Sequence, residues 1–167
     1  MTILPSPRIQ LLQRMPIFGA ISESALQFLL AQAREVGVAA GDFFFREDDL
    51  ASSMFVLESG RAVVIKGWQG HDTELHRLRA GDCFGEMALM DLRPRSASVC
   101  ATEDCRAIEF TAADLLRLFE NDPEQFALIQ MNIGREVCRR LRATDERLFR
   151  ATMGSHPSGL ETLFLDA

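Results

Sequence analysis

The sequence predicts a mainly β fold with flanking helices, and three observations carry that expectation. Over residues 36–110, short runs rich in Val, Ile and Phe alternate with glycines at Gly37, Gly41, Gly60, Gly67, Gly70 and Gly81, the pattern of a sandwich or jelly roll. Before that stretch, Ala25, Leu26, Leu29 and Leu30 recur at helical spacing; after it, Phe126, Ile129, Ile133, Val137, Leu141 and Leu148 form one apolar stripe. A chain of 167 residues is long enough to enclose one such core.

Taken in order, Ile9-Gln10-Leu11-Leu12 with Arg14 reads as a short helix that stops near Pro16. Ser22 is placed to cap a helix over residues 23–32, because its side-chain oxygen can accept from the free N–H groups of the first turn. Lys66-Gly67-Trp68-Gln69-Gly70-His71-Asp72 has the composition of an exposed hairpin tip. Strand signals resume over 97–101 and 106–110 after an interruption. Thr111 caps a helix over 112–120, and Asn121-Asp122-Pro123 opens the last one, with proline at its first position. That helix is predicted to run to about Arg150. At about 28 residues it would be about 42 Å long, more than a domain of this size needs to cover its own core, so a second copy could pack on the excess. Residues 153–167 read as a flexible tail with a small apolar patch at Leu160, Leu163, Phe164 and Leu165.

Composition narrows the function classes. The apolar fraction of 47% and charged fraction of 25% are those of an ordinary globular protein. A net charge of −6 argues against a general nucleic-acid-binding surface. No apolar run approaches the ~20 residues that span a bilayer, so no membrane partner is expected. Met1-Thr2-Ile3-Leu4-Pro5-Ser6-Pro7 lacks the basic region and apolar core of a signal peptide, which makes the cytoplasm the default location. Cys83, Cys100, Cys105 and Cys138 show no Cys-x-x-Cys spacing, so reduced thiols acting as small apolar residues are expected, with no metal and no cofactor. His71, His76 and His156 stand in polar contexts that suit the surface.

The interruption in the β pattern carries the chemistry. It reads Phe84-Gly85-Glu86-Met87-Ala88-Leu89-Met90-Asp91-Leu92-Arg93-Pro94-Arg95-Ser96-Ala97-Ser98-Val99. Gly85 has no side chain, so a ligand can approach its backbone. Residues 86–90 are good helix formers, and the free N–H groups where a helix starts attract an anion. Arg95, past the Pro94 turn, can grip a phosphate through its planar fork. Glu86, acceptor-only when ionised, suits a ribose 2′-hydroxyl. Together these residues read as a pocket for one cyclic phosphate and one ribose. Neither Glu86, Asp91 nor the histidines form a recognisable pairing of base and nucleophile, so an enzyme is not expected.

This segment resembles the phosphate-binding cassette of the cyclic nucleotide-binding domain family, whose members include the bacterial catabolite activator, protein kinase A regulatory subunits and cyclic nucleotide-gated channels. Three further motifs support the resemblance in order: Gly41-Asp42-Phe43-Phe44-Phe45-Arg46-Glu47, Met54-Phe55-Val56-Leu57-Glu58-Ser59-Gly60-Arg61-Ala62, and Arg79-Ala80-Gly81-Asp82. It extends over about residues 18–148. It implies a jelly-roll (double-stranded β-helix) barrel over about 34–110, with N-terminal helices, a short cassette helix and C-terminal helices over about 111–150. The domain would then be residues 1–150 and the tail 151–167.

The resemblance also implies roles. The amides of Gly85, Glu86, Met87 and Ala88, behind Phe84, would bind the cyclic phosphate with the side chain of Arg95. Ser96 would add a hydroxyl and Ala97 a backbone N–H, Glu86 would take the ribose, and Arg93 would face solvent. Leu75, Cys83 and Met87 are candidates for apolar contacts with sugar or base. In the catabolite activator the long helix carries Arg-Arg-Leu, then two residues, then Thr-Ser, which reach adenine; here Arg139-Arg140-Leu141 precedes Thr144-Asp145 in the same way. Thr144 matches, and Asp145 in place of serine would accept from an amino group of adenine or guanine. Ser96 leaves the base open, with cAMP favoured over cGMP. The implied protein is a stand-alone sensor, homodimeric through its C-terminal helix, that signals to an unidentified effector protein. About 17 residues follow Arg150, too few for a helix-turn-helix, so no direct DNA binding is expected. The alternative is an interaction or dimerisation module that kept the fold without the nucleotide.

Overall fold

The computed structural model describes residues 6–154. In chain order its elements are α1 (Pro7–Gln13), a 3-10 turn (Pro16–Phe18), α2 (Glu23–Gln32), β1 (Arg34–Val38), β2 (Phe43–Phe45), β3 (Ser53–Ser59), β4 (Arg61–Trp68), β5 (His71–Arg79), β6 (Cys83–Phe84), α3 (Met87–Asp91), β7 (Ser98–Ala101), β8 (Cys105–Thr111), α4 (Ala112–Asn121) and α5 (Pro123–Gly154). The strands form two four-stranded antiparallel sheets, in the orders β1-β8-β3-β6 and β2-β7-β4-β5. Consecutive strands fall in different sheets except for the β4–β5 hairpin, which is the jelly-roll arrangement expected from the Val/Ile/Phe pattern.

The core lies where side chains of both sheets meet. Phe55 and Leu57 of β3, Ala62 of β4, and Val99 and Ala101 of β7 belong to one buried cluster. Phe44, Phe45, Phe55 and Phe84 extend it toward the cassette: Phe55 stacks on Phe84 at 5.3 Å between centroids, Phe44 meets Phe84 edge-on at 5.0 Å, and Phe45 lies 5.9 Å from Phe55. Such ring pairs contribute about 0.5–1.5 kcal/mol each beyond the area they bury.

The helix boundaries follow the capping chemistry. The Ser22 hydroxyl accepts from the Ala25 N–H, and α2 begins at Glu23 as its sequence predicts. Thr111 accepts from the Asp114 N–H while the Asp114 carboxylate accepts from the Thr111 N–H, a reciprocal capping box that starts α4. Two of the glycines expected in turns are instead inside strands: Gly37 pairs with Arg106 in β1, and Gly67 with Asp72 in β4. Gly37 is flanked by Val36 and Val38, and Gly67 is carried by the unbroken pairing of β4 with β5 on either side of it. The hairpin turn is correspondingly tighter than expected, at Gln69 (φ 50°) and Gly70 (φ 80°), the left-handed pair that a two-residue β-hairpin requires.

The chain divides into two compact units, one through Ile133 and one from Gly134. In the first, the start of α5 is docked on the N-terminal segment. The side-chain Oε1 of Gln125 accepts from the Ser22 N–H at 2.7 Å, and the Asn132 side-chain amide donates to the Gly19 carbonyl at 2.8 Å. Ile129 and Ile133 are buried there. The second unit, taken by itself, continues the helix to Gly154, past the expected end at Arg150, with Leu141, Leu148 and Phe149 exposed at 58%, 66% and 59%. Pairs such as Glu136–Arg140 and Glu146–Arg150, spaced by one turn, support a helix with water on its polar faces. The apolar patch expected at Leu160, Leu163, Phe164 and Leu165, and His156, lie outside the described residues.

Candidate functional site: the cassette between β6 and β7

β6 ends at Phe84, and the chain turns at Gly85 with φ +79°. The turn delivers Glu86 to the start of α3, a single turn of helix that Leu92 closes in a left-handed conformation (φ 55°). After Pro94 the chain exchanges two backbone hydrogen bonds with the loop after β2: Arg95 N–H to the Asp49 carbonyl and Asp48 N–H to the Arg95 carbonyl, both 2.9 Å. That exchange fixes where the Arg95 side chain begins.

The guanidinium turns inward and is 5% exposed. Nη1 donates to the Ser53 carbonyl and to the Gly85 carbonyl, each at 2.8 Å, and Nη2 donates to Ser53 Oγ at 3.2 Å. One face lies over the Phe45 ring, 4.0 Å from its centroid, with Phe55 at 5.7 Å. Nε is buried with no hydrogen-bond partner among the described residues. A guanidinium has five N–H donors in a fixed plane. The bonds above leave Nε–H and one Nη2 hydrogen, which form its side-on edge. Burial lowers the Arg95 pKa from its ordinary value; Glu109, Asp49 and Glu86, in that order, oppose the shift. Arginine nevertheless stays protonated, so the site holds a desolvated cation with two donors to spare. An oxyanion with two oxygens in one plane is the partner such an edge accepts best.

Of the expected site residues, the structure brings the cassette members together. Phe84, Ala88 and Ala97 are buried, forming the apolar backing of the cassette, and Glu86 is buried at 2% exposure. Gly85 is in hydrogen-bond contact with Arg95, and the Ser96 hydroxyl lies 4.0 Å from the sulfur of Met87, itself exposed. Arg93 is exposed and lines an open recess of about 210 Å³ with Leu50, Ala51, Ser52, Leu92 and Pro94. It faces solvent, as expected. Leu75 is half exposed and Cys83 buried. Thr144 and Asp145 belong to the second unit, where both are exposed and the Thr144 hydroxyl donates to the Arg140 carbonyl one turn back.

Two features depart from the sequence-based picture. Arg95 is expected to grip a phosphate through its planar fork; the structure adds that Nη1 is fully engaged by the protein, leaving the side-on edge for a ligand. And of the residues that seat the guanidinium, Phe45 and Phe55 enter the sequence reading only as members of longer motifs, and Ser53 is not singled out there. The signal for them was faint: aromatic residues that alternate toward a cassette arginine also read as ordinary core.

A sandwich of two sheets interrupted by a glycine-cornered cassette, with a buried arginine whose Nε–H has no partner among the described residues, is the architecture of a ligand-binding regulatory domain. Residues 35–122 match the family model of the cyclic nucleotide-binding domain, and the chain belongs to that family. It is 28% identical over 134 residues to a cyclic AMP receptor protein of Thermus thermophilus, a match covering 80% of this chain and 60% of that one. It is 33% identical over 115 residues to a cyclic nucleotide-gated potassium channel of Rhizobium etli, covering 69% of this chain and 31% of that one. The solved structure of the Thermus thermophilus catabolite activator protein superposes with a TM-score of 0.72 at 28% identity, over 82% of this chain and 63% of that chain. This chain thus spans less than two thirds of the length of these relatives. No helix among the described residues is long and apolar enough to cross a membrane.

Proposed function

We propose that the chain is a sensor module that binds a 3′,5′-cyclic nucleotide, cAMP in preference to cGMP, and passes the event to an effector protein through movement of its C-terminal helix. The observation that carries the reading is the buried Arg95 guanidinium, whose Nε–H has no acceptor among the described residues. A cyclic phosphate monoanion offers two exocyclic oxygens to that edge. Glu86, buried at the foot of α3, supplies the carboxylate for a ribose hydroxyl, and Ser96 and Ala97 complete the phosphate contacts. The relatives named for cyclic AMP and for cyclic nucleotides favour the same class of ligand.

Homodimerisation through α5 belongs to this proposal. Leu141, Leu148 and Phe149 are apolar and exposed in the second unit, where a second copy of the helix would cover them. Thr144 and Asp145 would then approach the base. Coupling to the helix requires that ligand bind one helix position better than another. Binding without turnover is expected.

The test is calorimetric titration of the full chain with cAMP and then cGMP, beside Arg95→Ala. Saturable binding that the substitution weakens by about 2 kcal/mol or more, the scale of a buried charged hydrogen bond, supports the reading. A folded protein that binds neither nucleotide returns the chain to the interaction-module alternative. Spin-label distances across α5 with saturating cAMP test the coupling, and unchanged distances would remove it.

A further inference from the structure

Lys66 lies on β4, outside the cassette, yet its ammonium donates to the Ser96 carbonyl at 2.7 Å and to the Glu47 carboxylate. Glu47 is tied down in turn. Its second carboxylate oxygen accepts from the Gly67 N–H at 3.3 Å, and its own N–H donates to Ser98 Oγ at 2.8 Å. Strand β4, the loop after β2 and the exit of the cassette therefore meet on one ammonium. A half-exposed lysine–glutamate pair alone contributes little to stability. The third partner, a carbonyl next to Arg95, sets this one apart.

The Ser96–Ala97 peptide is trans, as are all those described. In a planar trans peptide the C=O and N–H point in opposite directions. A cation that holds the Ser96 oxygen consequently turns the Ala97 N–H away from itself, and by polarising the amide it makes that N–H a stronger donor. Ala97 itself is buried.

We infer that Lys66 is a positioning residue for anion recognition: it fixes the Ser96–Ala97 peptide so that the Ala97 N–H and the Ser96 hydroxyl stand ready for the phosphate held by Arg95. The inference rests on the nucleotide-binding function proposed above. Lys66 acts through the Ser96 carbonyl and need not touch the nucleotide. Glu47 accepts a second, separate hydrogen bond from the same ammonium. The hydrogen bond from Lys66, followed by that from Gly67, holds the Glu47 carboxyl below its ordinary pKa.

The experiment compares wild type, Lys66→Met, Lys66→Arg and Glu47→Gln in the full 15N-labelled chain. Each protein is titrated with cAMP, and its Ala97 amide resonance is followed without and with ligand. Lys66→Met is expected to weaken cAMP binding by about tenfold, the loss of one charged hydrogen bond acting indirectly, and to shift the ligand-free Ala97 resonance. Lys66→Arg is expected to restore most of both. Glu47→Gln, which leaves the Ser96 contact in place, is expected to change affinity by less than about threefold.

If wild type binds and Lys66→Met binds equally well, the inference is overturned while the nucleotide reading stands. It is also overturned if Glu47→Gln costs as much as Lys66→Met with the Ala97 resonance unmoved, because the pair then only stitches loops together. Wild-type protein that binds no cAMP overturns the nucleotide reading and this inference with it. Should Lys66→Met fail to fold, Lys66→Arg decides through the Ala97 resonance: retention of the wild-type position supports the inference, and displacement with undiminished cAMP binding overturns it.

Discussion

Replacing Gly85 by alanine tests the cassette at its tightest point. Gly85 sits at φ +79°, and a Cβ built there would lie 2.5 Å from Arg95 Nη1, 3.3 Å from Cζ and 3.4 Å from Cε1 of Phe45. The left-handed backbone alone costs a residue with a Cβ about 1–2 kcal/mol. The guanidinium is the end of a flexible chain and can retreat, but only by giving up bonds to Ser53 and Gly85, each worth about 1.5–3 kcal/mol for a charged donor. Losing one of them brings the total to about 3–5 kcal/mol, and for a chain of this size each kcal/mol lowers Tm by about 2–4 °C. Gly70→Ala is the control. Gly70 has φ +80° with nothing within 4 Å of its Cβ, so it reports the backbone cost alone. Thermal denaturation followed by circular dichroism is expected to show Gly85→Ala falling by about 6–20 °C and Gly70→Ala by about 2–8 °C. Equal losses for the two variants would mean that the Arg95 bonds contribute nothing measurable, and the account of a guanidinium seated by Ser53 and Gly85 would be refuted. In the same preparations, cAMP affinity should fall for Gly85→Ala and hold for Gly70→Ala.

Three other outcomes are expected. Gly134→Ala, in α5 with open space around its Cβ, should stabilise the helix by about 1 kcal/mol, the intrinsic preference for alanine; a drop in Tm would show that Gly134 is needed for a reason other than propensity. Iodoacetamide at pH 8 should modify exposed Cys138 well before buried Cys105, whose thiol burial pushes above its ordinary pKa; equal rates by mass spectrometry would contradict the burial of β8 at that position. Glu35 and Glu47 are held below their ordinary carboxylate pKa of 4.5 mainly by hydrogen bonds from Arg8 and Lys66. A lowered folded-state pKa gives stabilisation that is present above the unfolded value and lost as pH falls through the folded one. Tm should therefore decline below about pH 4.5, and the double variant Glu35→Gln, Glu47→Gln should flatten that acid limb; an unchanged limb would place the titration elsewhere.

How much of this was legible in the sequence depends on how local each determinant is. The caps at Ser22 and Thr111 were readable because hydroxyl, spacing and first turn all lie within four residues. The cassette was readable for the same reason: glycine, helix formers, proline and arginine follow one another. Gly37 and Gly67 misled because a glycine inside a strand has the local signature of a turn, and only the pairing with Arg106 and Asp72 resolves it. The partners of Arg95 were not readable at all. Ser53 is 42 residues away in sequence, and its carbonyl is a backbone atom that every residue possesses. Lys66 escaped likewise, since its contact with Ser96 spans 30 residues and ends on a carbonyl.

The way Arg95 is seated bears on how a ligand signal would leave the site. Ordering an arginine side chain costs about 2 kcal/mol of rotamer entropy, and here folding has already met that cost through the bonds to Ser53 and the ring of Phe45. An incoming phosphate at the Nε edge would meet a fixed cation, so its binding energy need not be spent on arranging the arginine. The same seating restricts where movement can originate. Ser53 anchors the guanidinium to β3, in the middle of a sheet, while Gly85 belongs to the cassette turn, which rests on a single helical turn of five residues. A phosphate drawing on both Arg95 and the amides of Gly85 to Ala88 would pull the cassette turn toward β3, which makes α3 the element expected to shift. Ser53→Ala separates the two roles. It removes the Oγ bond at 3.2 Å and keeps the carbonyl bond at 2.8 Å, so Arg95 should stay seated, with a loss of affinity for cAMP within about fivefold. A loss as large as that of Arg95→Ala would show that the serine hydroxyl, and not the β3 backbone, holds the cation, and the fixed point of the site would have to be placed elsewhere.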